Sequence, residues 1–132
     1  VVSAPAVAPL SREVTREAIA AYADAVGDHN PIHVDEAFAR ATPFGGVIAH
    51  GMLALAYVSE TMERAFGERW ARSGRLKVRF KLPARPGDTL TVTAEPRGTS
   101  EENGLARWEY AVTCVNQRGE ALITGSASVE AE

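Results

Sequence analysis

Cysteine is all but missing from this chain: Cys114 is the only one. An intrachain disulfide is therefore excluded, as is a thiolate metal cluster, and the composition fits a reducing compartment. Long apolar runs are missing too. The longest, Gly45 to Val58, is interrupted by His50 and is too short to span a bilayer. The opening VVSAPAVAPL has no basic residue and two prolines, so residues 1–8 read as a loose arm rather than a signal peptide. Positive charge is not in excess. Lys and Arg number 14 against 17 Asp and Glu, a net charge of -3, which gives no general argument for nucleic acid. These absences lead to an expectation of a soluble cytoplasmic protein with no membrane and no nucleic-acid partner. What is present is globular in character, with 45% hydrophobic and 23% charged residues. A chain of 132 residues suits one domain, 1–132, with a core of its own.

Histidine is scarce as well, and its placement is uneven. All three, His29, His33 and His50, fall in the stretch GDHNPIHVDEAFARATPFGGVIAHGML, Gly27 to Leu53. Around it the periodicity is helical. Thr15 can cap a helix in which Ile19, Tyr22, Ala23 and Val26 share a face, and Gly27 stops it. A loop, DHNPIHV, follows, with Pro31 forcing Asn30 out of helical geometry. Asp35 caps a short helix to about Ala41, and Pro43 with Gly45-Gly46 breaks it. The next helix starts near His50 or Gly51 and runs to about Phe66, ~24 Å at 1.5 Å per residue. For two turns it is apolar on nearly all sides, which predicts burial all round.

After Gly74 the period drops to two. Leu76, Val78, Phe80 and Leu82 alternate with Arg75, Lys77, Arg79 and Lys81. Pro86-Gly87-Asp88, Asn103-Gly104 and Arg118-Gly119 are turns. Between them lie Leu90, Val92 and Ala94, then Ala106 to Cys114, and finally Ala121 to Val129. Helices first, then three or four antiparallel strands, predict an α+β fold: an antiparallel sheet curled around the long helix. Such a sheet leaves an open edge and one uncovered side, which a second copy would close, so a homodimer or larger homo-oligomer is expected.

The chemistry lies in the histidine-rich stretch. Asp28 and His33, five apart on a loop, can aim a carboxylate and an imidazole at one water and move its proton near neutral pH. Asp and Asn in such loops also cap and brace turns, and the spacing alone leaves both readings open. Gly51 would put an unpaired N–H, at the positive end of a helix dipole, where a ligand can approach it closely. That donor suits a carbonyl oxygen gaining negative charge. Tight packing is the other use of Gly51. Asn30 and His50 flank these groups and are candidates for substrate contact. His29, His33, His50, Asp28 and Asp35 could in principle ligate a metal, but no HExxH or paired-cysteine spacing is present, and no metal or cofactor is expected.

At these residues the sequence resembles a known family. GDHNPIHVDEAFA followed by FGGVIAHGML is similar to the signature of the MaoC-like hydratases of the hotdog fold, especially (R)-specific enoyl-CoA hydratases. The resemblance covers Thr15 to about Ser59 in detail and the later strands in outline. It implies that Asp28 and His33 form the dyad that activates water, that the Gly51 amide binds the thioester carbonyl, and that Ser59 belongs to the active site. It further implies an acyl-CoA or acyl carrier protein thioester as substrate and an (R)-3-hydroxyacyl product. Ser59 lies eight residues beyond Gly51, ~12 Å along the axis, so it cannot share the carbonyl with Gly51. His29 receives no role. Arg75, Lys77, Arg79 and Lys81 form either a solvated face or a landing strip for coenzyme A phosphates. Two rival functions are a hotdog thioesterase, with Glu60 or Glu63 as base, and a non-catalytic acyl-thioester-binding subunit.

Overall fold

The computed structural model describes residues 3–131. The elements run β1 (Leu10–Glu13), α1 (Arg16–Val26), α2 (Pro31–Val34), α3 (Glu36–Arg40), α4 (Gly51–Phe66), α5 (Glu68–Ser73), β2 (Arg75–Phe80), β3 (Thr89–Glu102), β4 (Leu105–Val115) and β5 (Ala121–Glu130). One five-stranded sheet has the order β1-β3-β4-β5-β2, and every pairing is antiparallel. The α+β architecture expected from the sequence is the one observed.

Helix α4 packs on this sheet. Its Leu53, Ala54, Val58 and Met62 meet Val92, Tyr110, Val112, Ile123 and Ala127 in one core cluster. The long β3–β4 hairpin turns at Asn103-Gly104, where both residues have positive φ (52° and 81°). That backbone is what an Asn-Gly turn supplies at low strain. Along β4 the burial alternates from Trp108 on: Trp108, Tyr110, Val112 and Cys114 are buried.

Several expectations need correction. The fifth strand, β1, is four residues long, and pairs with β3 from Leu10↔Val92 to Glu13↔Thr89; one apolar residue among LSRE gives no period to read. Helix α5 is too short for a helical period, with Trp70 its one buried anchor. The DHNPIHV segment is not all loop. Pro31 stands at the first turn of α2, where its missing N–H costs nothing, and Asn30 caps it by accepting from the Ile32 N–H at 3.1 Å. Helix α4 is buried on one face rather than all round; Met52 is 56% exposed. The arm expected to be loose touches the core at Ala4, Pro5 and Val7. Tyr110 O–H donates to the Pro5 carbonyl at 2.6 Å, and Ala4 and Val7 pack on the core. Val1 and Val2 lie outside the described residues.

Candidate active site

Three short segments converge at the start of α4. The first is the turn after α1. Gly27, with φ 72°, ends the helix in left-handed geometry and turns the chain so that Asp28 is exposed. The Asp28 carboxylate accepts the Asn30 N–H at 3.2 Å. The second segment is α2, which carries His33 half-buried. His33 Nδ1 donates to the Ile48 carbonyl at 2.8 Å. A carbonyl can only accept, so the proton sits on Nδ1 and neutral His33 presents a bare Nε2. The third segment runs from Ile48 into α4. His50 has extended backbone (φ -60°, ψ 135°) and makes no side-chain cap, so the first amides of α4 are left to other acceptors.

These groups share one place. A carboxylate oxygen of Asp28 and one nitrogen each of His33 and His50 lie within 4.8 Å of one another. Beside them opens a cavity of about 290 Å³, lined by His33, Ile48, Gly51, Phe80, Lys81 and Ile123 among others. Its walls are mostly apolar, with His33, His50 and Lys81 as the polar side chains among them, which suits a ligand that is largely apolar. Could the same donors hold a metal? His33 would offer Nε2 and Asp28 a carboxylate oxygen, but His50 has only Nδ1 left, since Nε2 donates to the Asp28 backbone carbonyl at 2.9 Å.

The remaining candidates fall elsewhere. Asn30 serves as the cap of α2. Ser59 accepts from Trp70 Nε1 at 2.9 Å, tying α4 to α5, and is not among the cavity's lining residues. The four cations of β2 and its end separate. Arg75 is held by two bonds to Glu102, at 2.6 and 2.7 Å. Lys77 and Arg79 border a different hollow with Thr124 and Ser126. Lys81 alone of the four lines the cavity beside Gly51. His29 pairs with Asp24 of α1 at 2.8 Å and braces the turn that carries Asp28. Phe80, which the sequence places only in the alternating apolar run, is 53% exposed and faces Gly51 at the cavity wall.

The site thus sets a carboxylate and an imidazole at the start of a long helix that packs on an antiparallel sheet. The chain belongs to the MaoC-like domain family, whose model matches residues 2–115. It is 33% identical to a 3-hydroxybutyryl-CoA dehydratase of Methylorubrum extorquens, over 93% of this chain and 80% of that protein. It is 32% identical to an (R)-specific enoyl-CoA hydratase of Rhodospirillum rubrum, over 92% and 83%. The solved (R)-hydratase of Aeromonas caviae superposes with a TM-score of 0.81 at 28% identity, covering 98% of each chain. The hotdog fold expected from the resemblance is therefore the fold of this chain.

Proposed function

We propose that this protein is a hydratase that adds water across a trans-2-enoyl thioester, a coenzyme A or acyl carrier protein ester, to give the (R)-3-hydroxyacyl thioester. Run backward, the same site is a dehydratase. The observation that carries this reading is the meeting of Asp28 and the bare Nε2 of His33 with the uncapped start of α4, beside an apolar cavity. The Gly51 N–H polarises the thioester carbonyl and makes C3 electrophilic. Asp28 and His33 hold the water. Its oxygen bonds to C3 while His33 Nε2 takes its proton, and that proton passes to C2 as the enolate collapses. So written, the step needs no metal or redox cofactor.

A homodimer completes the reading. Strand β2 is a sheet edge, and Phe80 at its end and Leu82 just beyond are exposed apolar residues lining the cavity. A second copy set against that edge would cover both the edge and the open side of the cavity. Among the described residues no helix is long and apolar enough to cross a membrane. A cytoplasmic enzyme agrees with the lone cysteine, Cys114, buried as a free thiol. The thioesterase alternative finds less support. Glu60 is drawn to Arg12 at 2.6 Å, and neither Glu60 nor Glu63 lines the cavity.

The test is a spectrophotometric panel of trans-2-enoyl-CoA esters from short to long chain, with free thiol assayed in parallel. Loss of enoyl absorbance without thiol release supports hydration. Thiol release favours the thioesterase.

A further inference from the structure

We propose that His50 is the positioning residue of this site: a buried imidazole, fixed in one tautomer, that locks the Asp28 backbone and the His33 ring to the start of α4. Four observations meet on it. His50 is 3% exposed. Its Nε2 lies 2.9 Å from the Asp28 backbone carbonyl, which can only accept, so Nε2 carries the proton. Its ring stacks on His33 with centroids 3.8 Å apart and planes 25° from parallel. The Tyr22 ring also stands 5.0 Å away, tilted by 59°.

A fifth observation is an anomaly. His50 Nδ1 is sealed from solvent and has no hydrogen-bond partner. With the proton on Nε2, this atom is a buried bare acceptor, which destabilises the fold relative to an apolar side chain of the same shape. An apolar ring chosen for packing alone would carry no such atom. What the histidine supplies, and a phenylalanine would not, is the N–H that grips Asp28.

That grip joins the three segments of the site. Asp28 is held at both ends, through its carbonyl by His50 and through its carboxylate by the Asn30 N–H. His33 is held at one nitrogen by Ile48, two residues before His50, and on one face by His50 itself. Gly51 is the next residue in the chain. One imidazole therefore sets the spacing between the groups that hold water and the amide that holds the carbonyl. Misplacement by about 1 Å in such a constellation lowers turnover by ~10².

The kinetic part of the test rests on the hydratase reading; the spectroscopic part does not. His50→Phe keeps the ring and removes both nitrogens. It is expected to fold and melt within a few degrees of the parent, because it also removes the orphaned acceptor. Its kcat should fall by ~10–10² with KM changed by less than threefold. His50→Gln places an amide N–H near the position of Nε2, and should recover at least tenfold in kcat over His50→Phe wherever the Phe variant loses that much. Long-range 1H–15N spectra of the parent should show two opposite neutral tautomers, with the proton on Nε2 in His50 and on Nδ1 in His33. The proposal is overturned if His50→Phe turns over within threefold of the parent, if the Gln variant is no better than the Phe variant, or if the His50 proton sits on Nδ1. Should the parent hydrate no enoyl thioester, the hydratase reading falls, and the spectra alone decide whether His50 anchors Asp28.

Discussion

The ring of Phe80 lies so close over Gly51 that a methyl group there would meet it at 3.2 and 3.3 Å. Phe80 is half exposed and can yield by a few tenths of an ångström, and alanine is the better helix former, so Gly51→Ala is expected to fold with an unchanged or higher melting temperature. The methyl group would still crowd the amide at the mouth of the cavity. A fall in kcat/KM of about tenfold or more is expected, read by steady-state kinetics beside a thermal melt. An unchanged kcat/KM would place the carbonyl elsewhere.

The chain should sediment as a dimer at micromolar concentration, at twice its 14.1 kDa, because the β2 edge and the exposed Phe80 and Leu82 call for cover. Equilibrium sedimentation decides it. A single species of 14.1 kDa at micromolar concentration would contradict the expectation.

Lys81 and Arg75 should behave differently, though both belong to the same alternating run. Lys81 lines the cavity, whereas Arg75 is committed to Glu102. Lys81→Ala is expected to raise KM for a coenzyme A ester about two- to fivefold at low salt and leave kcat nearly unchanged, the scale of one exposed ion pair. Added salt should shrink the effect. Arg75→Ala should leave KM alone. An enoyl-pantetheine thioester, which lacks the nucleotide phosphates, should be used equally by parent and both variants. Equal KM values for Lys81→Ala and the parent on the coenzyme A ester would remove Lys81 from substrate binding.

Burial pushes the Cys114 thiol up to about 11 from 9.0. A folded pKa above the unfolded one gives stability that is complete below about 9 and is lost as pH rises through about 11. At pH 8 the native protein should leave a thiol reagent such as Ellman's unreacted and release one equivalent on unfolding. Prompt reaction of the native chain would show that β4 is not packed as described.

Much of this was legible in the sequence, for physical reasons. Thr15 and Gly27 bracket α1 because a hydroxyl that accepts the Ala18 N–H, and a residue free to take positive φ, are local necessities. The same holds for Asp35 before α3 and for Asn103-Gly104 in the hairpin. Less legible was whatever depends on distant partners. Nothing near Leu10–Glu13 in sequence announces pairing with Thr89–Val92. The separation of Lys81 from Arg75 follows from Glu102, which β3 brings across the sheet. At the site, the spacing of Asp28 and His33 and the use of Gly51 left two readings open, and only the resemblance to the MaoC-like family implied their roles. The tautomer of His33 and the burial of His50 did not show, because both follow from carbonyls that only the folded backbone places, Ile48 for the first and Asp28 for the second.

The dyad is tested most directly by turnover of trans-2-butenoyl-CoA by the parent, Asp28→Asn and His33→Ala, with circular dichroism to confirm that each variant is folded. Both side chains lie on exposed or half-exposed segments outside the core cluster, so the fold should survive. The account predicts that the parent consumes enoyl absorbance without releasing thiol and that each variant is slower by ~10²–10⁴, the range for a lost acid–base group. Folded variants that turn over within threefold of the parent would contradict it.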